Sequence, residues 1–154
     1  MRLSTESVRI RKLDEGDVQI FQTLLDLFAH VFETDKNKAP GKAHLEKLLQ
    51  DSKFVVFVAI YGNEIAGGLT AYELVDYYSE GSEIFIYDIA IKPEFQRKGL
   101  GKKLISVVKE YCIKKGIREF FVEAHEEDIH AVDFYNTTDG KAEKVIQFSY
   151  PVNK

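Results

Sequence analysis

The chain has a single cysteine, no excess of positive charge, and no apolar run approaching the ~20 residues needed to span a bilayer. Each shortage excludes something. Cys112 alone forms no internal disulfide, and among the apolar residues of a helical stretch it reads as a buried structural thiol. With 21 basic and 25 acidic residues the net charge is −4, so excess positive charge gives no basis for general nucleic-acid binding. The first twelve residues hold no apolar signal core. The expectation is a cytoplasmic protein with no membrane and no nucleic-acid partner. His30, His44, His125 and His130 lack metal-ligand spacing with carboxylates or Cys112, so no metal is expected.

What is present is an ordinary globular composition, 45% hydrophobic and 30% charged over 154 residues. A chain of this length buries roughly 70% of its unfolded surface. There is no repeat, low-complexity tract or linker, and one domain, 1–154, is expected. Val8 to Leu13 alternates as a half-buried strand. Val18 to Phe32 is an amphipathic helix, with Phe21, Leu24, Leu25, Phe28, Val31 and Phe32 on its core face. Thr34 to Gly41 is a loop, and Lys42 to Gln50 a short helix. Phe54 to Tyr61 is unbroken in apolar character, as in a strand buried on both faces. Gly62-Asn63 turns it into an antiparallel return over Glu64 to Val75, where Gly67-Gly68 marks a bulge or a close approach. An acidic, tyrosine-rich loop over 76–82 precedes a strand from Glu83. A helix from Gly101 to about Lys115, a strand at Glu119 to Ala124, a short helix at Ile129 to Tyr135 and a final alternating strand at Val145 to Tyr150 complete the chain. The order β-α-α-β-β-β-α-β-α-β specifies a mixed α/β fold, with a mostly antiparallel mixed sheet flanked by helices.

The most informative stretch joins the strand after Glu83 to the helix after Gly101. Between them lie Pro93 and the hexamer Gln96-Arg97-Lys98-Gly99-Leu100-Gly101. A glycine loop running into a helix presents unpaired backbone N–H groups at the positive end of the helix dipole, an arrangement suited to phosphate or pyrophosphate. Arg97 and Lys98 add positive charge. The loop lacks the Lys-Ser/Thr ending of a P-loop and the spacing of a dinucleotide fingerprint.

In this context, Asp88-Ile-Ala-Ile91-x-Pro93-x-x-Gln96-Arg97-x-Gly99-x-Gly101 resembles the acetyl-coenzyme A motif of the GNAT superfamily of N-acetyltransferases. Asp128-x-x-Ala131-x-x-x-Tyr135 is similar to that superfamily's later motif. A narrower likeness, to the aminoglycoside 3-N-acetyltransferases, rests on Ser82-Glu83-Ile-Phe-Ile-Tyr87-Asp88, on Ala131-Val132-x-x-Tyr135 and on Val145-x-x-Phe148.

The resemblance implies acetyl-coenzyme A as cofactor. Its pyrophosphate would lie on the loop formed by Gln96, Arg97, Lys98, Gly99, Leu100, Gly101 and Lys102. Its pantetheine amides would pair with the backbone of Ile89, Ala90 and Ile91, and the strand from Glu119 should therefore splay away there. The reaction implied is direct attack of an amine on the thioester in a ternary complex. Asp88, an acid within an apolar strand, is the candidate base; the competing reading is a strand-end carboxylate facing water or anchoring a loop. Tyr135 would donate to the leaving thiolate, against an ordinary role as a packing aromatic. Tyr87, Glu83, Glu123 and Asp128 are candidate acceptor-binding residues. Acidic clusters at Glu73-Asp76-Glu80-Glu83 and Glu123-Glu126-Glu127-Asp128 would draw in a polycationic small-molecule amine, with Tyr72, Tyr77 and Tyr78 offering faces to sugar rings. A polyamine, small metabolite or protein amine is the alternative acceptor, and a non-catalytic acyl-coenzyme A sensor the alternative class. A homodimer covering a sheet edge is a further expectation.

Overall fold

The computed structural model describes residues 7–35 and 38–153, in two compact units, Met1–Glu123 and Ala124–Lys154. The first unit carries β1 (Val8–Lys12), α1 (Val18–Val31), α2 (Lys42–Gln50), β2 (Phe54–Tyr61), β3 (Glu64–Val75), β4 (Ser82–Ile91), a 3-10 turn (Pro93–Phe95), α3 (Leu100–Lys115) and β5 (Glu119–Val122). The second carries α4 (Ile129–Asn136). Part of the first twelve residues, expected to hold no signal core, and part of the loop expected over 34–41 fall on residues 1–6 and 36–37, outside those described.

One sheet runs in the order β1-β2-β3-β4-β5. Its first four strands are antiparallel and β5 joins β4 in parallel. The mixed α/β class and the alternation of elements are thus as expected. Cross-strand partners lie on the same face of a sheet, which sorts the side chains into two sets. Phe54, Val56, Val58 and Ile60 pack with Val18, Phe21, Leu24, Leu27 and Phe28 of α1 and Leu45 of α2. On the other face Phe57 meets Tyr111 of α3 edge-on at 5.8 Å. This accounts for the unbroken apolar sequence of β2: helices cover it on both sides.

Two details depart from the helical stripe expected for α1. Leu27 is buried, while Phe32 at the helix end is exposed, its ring tilted against that of Phe28 at 5.5 Å. The Gly67-Gly68 question resolves both ways. The ladder slips between Ala59 and Ile60, opposite this point. A Cβ on Gly68 would also lie 2.6 Å from the Phe57 carbonyl oxygen and 2.7 Å from Leu24 Cδ1, so glycine is what lets α1 approach the sheet.

The final strand is a correction. Residues 145–150 enter no ladder among the described residues and are exposed throughout. The alternation is present in the sequence, but a strand needs an edge to pair with, and periodicity says nothing about which edge that is.

Candidate active site

The site is built where β4 runs out of partners. The parallel ladder pairs Glu83 with Glu119, Ile84 with Phe120, Phe85 with Phe121 and Ile86 with Val122, and stops there. β4 continues to Ile91, still paired with β3 on its other side. Residues 87–91 therefore present one edge that β5 does not cover. The β4–β5 ladder has ended before Ile89, Ala90 and Ile91, which leaves the edge an expected splay would free, and an extended amide-bearing chain can pair with it.

At the top of this open edge the β3–β4 ladder also slips. Ala71 pairs with Ile86 and Thr70 with Asp88, leaving Tyr87 as the extra residue of a bulge. A bulge places two consecutive side chains toward the same side. Phe85 pairs with Tyr72 and Tyr72 with Phe54, while Asp88 pairs with Thr70 and Thr70 with Val56, so Phe85 and Asp88 both belong to the face covered by α1. Tyr87 joins them, with Tyr72 edge-on at 5.7 Å and Phe85 edge-on at 5.8 Å. Phe85 stacks on Phe121 at 4.9 Å, and Tyr72 packs against Phe54 at 5.1 Å. Asp88 thus stands beside a row of aromatic rings whose outer members, Tyr72 and Tyr87, are exposed.

Asp88 is half-buried, and its carboxylate forms no hydrogen bond or ion pair among the described residues. Burial raises its pKa above the ordinary value. Burial also raises the pKa of Tyr72, and the charges of Tyr87 and Asp88 push the same way. An unpaired carboxylate reluctant to ionise is suited to accept a proton.

The loop at the other end of β4 is built to hold an anion. Phe95 is buried against Tyr61 at 5.4 Å, and Gln96 Nε2 donates to the Ile91 carbonyl at 2.9 Å, fixing the turn from below. Gly99 has φ 87° and caps α3 with no side-chain cap. Arg97 also sits in the left-handed region at φ 60°, which costs an arginine on the order of 1 kcal/mol. The first backbone donor of this segment with an acceptor is Lys103, to Gly99 at 3.0 Å; among the described residues none is found for residues 97–102. A Cβ on Gly99 would meet nothing within 4 Å, so the space over the loop is open. Consecutive free N–H groups, a helix N-terminus and open space fit a pyrophosphate.

Other candidates are engaged elsewhere. Arg118 forms ion pairs with Glu83 at 2.7 Å and with Asp76 at 2.6 Å, and donates to Ser79 at 2.6 Å. Hydrogen bonds from the Tyr78 backbone, Ser79 and Arg118 hold Asp76 down to about 2. Glu73 accepts from Ser82 at 2.7 Å and lies 3.7 Å from Lys53. Three acids of the first cluster therefore face cations of the protein's own. Arg118 carried no sequence signal as their partner, because the parallel register of β4 and β5 brings it there from far along the chain. Glu123 is exposed at the end of the first unit. In the second unit Asp128 caps α4, accepting from the Ala131 backbone at 3.2 Å, and Tyr135 is half-buried with Phe134 edge-on at 5.1 Å. Cys112 is buried, and burial together with the nearby Glu73 pushes its thiol up to about 11, so it holds its proton at neutral pH. No group of metal-ligating side chains occurs among the described residues, and no helix among them is long and apolar enough to cross a membrane.

A sequence profile of the acetyltransferase (GNAT) family matches residues 21–138, most of the chain and both of its units. The chain belongs to the acetyltransferase (GNAT) family. Members of this family use acetyl-coenzyme A, and the loop at residues 96–102 fits that cofactor's pyrophosphate. Among solved structures, the aminoglycoside acetyltransferase meta-AAC0020 from an uncultured soil metagenomic sample, in complex with trehalose, is 41% identical. That similarity covers 97% of this chain and 99% of the other, with a TM-score of 0.93. The same enzyme has been solved with sisomicin. The aminoglycoside acetyltransferase HMB0005, also from an uncultured soil metagenomic sample, is 34% identical over 96% of this chain and 99% of its own, with a TM-score of 0.90. A curated relative, thialysine N-epsilon-acetyltransferase of Sus scrofa, is 37% identical over 57 residues, or 37% of this chain; the match spans about a third of that enzyme's length (34%).

Proposed function

We propose that this protein transfers the acetyl group of acetyl-coenzyme A to an amine of an aminoglycoside, at the 3-amino group, by direct attack in a ternary complex. The observation that carries the reading is Asp88: unpaired, half-buried, and set by the β4 bulge against Tyr72 and Tyr87 where the strand edge opens. Full-length similarity to two aminoglycoside acetyltransferases supports the acceptor class.

The roles follow from the chemistry of each group. Backbone donors of residues 97–102 would hold the pyrophosphate, with Arg97 and Lys98 balancing its charge. The open edge at Ile89–Ile91 would pair with the pantetheine amides. Acetyl-coenzyme A supplies, when bound, an acetyl thioester with a thiolate as leaving group. Asp88 takes the proton from the attacking nitrogen, directly or through water, since an alkyl amine with a pKa of about 10 is mostly protonated near neutral pH. Tyr135 is assigned as proton donor to the thiolate on the strength of the motif that Asp128 begins. Tyr87 and Tyr72 offer π faces to an aminocyclitol ring and its ammonium groups, with Glu83, Glu123 and Asp128 as further acceptor contacts. With Cys112 protonated and buried, nothing in the chain calls for an acyl-enzyme. Both units act as one acetyltransferase domain in this reading, in the cytoplasm. The match to a thialysine acetyltransferase favours a second acceptor class, the side-chain amine of an amino acid.

The deciding experiment measures thiol release from acetyl-coenzyme A with aminoglycosides, polyamines and lysine analogues, followed by NMR of the product. Turnover confined to aminoglycosides with amide formation at the 3-amino group is expected. Cofactor binding without turnover on any amine would overturn the enzymatic reading. Turnover on lysine analogues alone would overturn the aminoglycoside one.

A further inference from the structure

Three polar residues are buried among the described residues: Asp17, Thr70 and Ser82. Two of them have partners. Asp17 is ion-paired with Arg11 and accepts from the Asp14 backbone at 2.8 Å, and Ser82 donates to Glu73 at 2.7 Å. The Thr70 hydroxyl has no partner among the described residues, on a residue only 6% exposed. Valine has the same shape, suits a strand and leaves no hydroxyl to satisfy, so packing alone would favour it here. The threonine needs another reason.

Four residues surround Thr70 on the face covered by α1: Val56 across the ladder on β2, Gly68 and Tyr72 along β3, and Asp88 across the ladder on β4. Val56 is buried, and Leu24 of α1 lies over Gly68, so those two sides are closed. Tyr72 is exposed and Asp88 half-buried, so the other two are open. No fully enclosed side-chain oxygen among the described residues lacks a hydrogen bond, so the Thr70 oxygen keeps access to that opening. The group across the strand from it there is the Asp88 carboxylate, which is equally without a partner. Directly opposed residues of neighbouring strands have Cβ atoms about 5 Å apart, a gap that a hydroxyl and a carboxylate close by turning toward each other. Two unsatisfied polar groups meeting at one ladder position call for a common explanation.

We infer that Thr70 is a positioning residue for the reaction: its hydroxyl donates to one oxygen of the ionised Asp88 carboxylate and leaves the other oxygen to face the acceptor amine. This role rests on the reading of Asp88 as the base. In the step it serves, the N–H bond of the amine breaks, the proton passes to the free Asp88 oxygen, and Thr70 keeps its own proton throughout. A donor held on one oxygen orients the carboxylate and stabilises its charged form, which is the form able to accept. Branching at Cβ restricts the directions from which threonine donates, so it orients its partner more firmly than serine does.

The test measures thiol release from acetyl-coenzyme A, with sisomicin as acceptor, for Thr70→Val, Thr70→Ser, Asp88→Asn and the double variant Thr70→Val, Asp88→Asn. Thr70→Val should lower kcat roughly 10- to 100-fold, as expected for one hydrogen bond to a charged group, with KM for both substrates unchanged and a melting temperature no lower than the parent's. Thr70→Ser keeps the donor and should stay within a few-fold of the parent. In the double variant the valine should cost nothing beyond the loss from Asp88→Asn alone, because a residue acting only through Asp88 has nothing left to position. Losses that multiply in the double variant would overturn the role of Thr70 and leave the base in place. A serine variant as impaired as the valine one would do the same, as would parent-like turnover in Thr70→Val while Asp88→Asn is impaired. Parent-like turnover in Asp88→Asn would overturn both the base and its positioning residue.

Discussion

Replacing Asp88 by asparagine preserves size while removing the carboxylate's charge and its ability to accept a proton. Asp88 has no ion-pair partner among the described residues and burial alone raises its pKa, so in the proposed reaction no paired side chain stands ready to take the proton in its place. An acceptor amine with a pKa of about 10 is neutral in roughly one molecule in a thousand at pH 7. A base that strips the proton within the complex recovers at most that factor of ~1,000, about 4 kcal/mol of barrier. The expected loss in kcat/KM for Asp88→Asn at pH 7 is therefore between ~100-fold and ~1,000-fold, with cofactor affinity unchanged. The loss should shrink about tenfold per pH unit as the solution deprotonates the amine, and nearly vanish toward pH 10. Stability should move the other way. A carboxylate whose pKa is raised by the fold contributes most to stability below its unfolded value of about 3.9, and that contribution is lost as pH climbs through the raised folded value. Asp88→Asn should therefore melt no lower than the parent at pH 8. The assays are a pH series of thiol release and paired melting curves. A loss equally deep from pH 6 to pH 10 would refute the base assignment, as would full activity at pH 7.

Gly99→Asp forces a side chain into φ 87° and places a negative charge over the anion loop, so calorimetric titration should show coenzyme A affinity reduced at least ~100-fold. Parent-like affinity would remove the loop from the site. Tyr135→Phe should slow turnover by less than ~100-fold, because solvent can also protonate a thiolate with a pKa near 8.5; the deficit should be larger below that pH than above it. Cys112→Ala should leave an enzyme with parent-like turnover, and the parent's thiol should resist alkylation at pH 8 while folded, as its pKa of about 11 requires. Gly68→Val drives side-chain atoms into the Phe57 carbonyl and Leu24, and a stability loss of about 1–3 kcal/mol in denaturant melts is expected.

The residues by themselves determined what depends on neighbours in sequence. Helix periodicity, the apolar length of β2 and the glycine turn after it are local properties, and α2, β2 and β3 lie where their patterns place them. The candidate anion loop was legible for the same reason: Gly99, the proline turn and the helix it feeds are contiguous, and a helix start leaves its first N–H groups without intrahelical partners. Only the tertiary structure decided how distant residues meet. Strict alternation along β4 would send Tyr87 and Asp88 to opposite faces; the slip against β3 turns them to the same one, and a ladder's register cannot be read from one of its strands. Arg118 reaches Asp76 and Glu83 only because β5 runs parallel to β4, which removes those acids from the free negative charge that counting them suggested. The strand pattern of residues 145–150 is the converse case, since a pattern fixes what a segment is able to pair with and the surrounding structure fixes whether a partner is there.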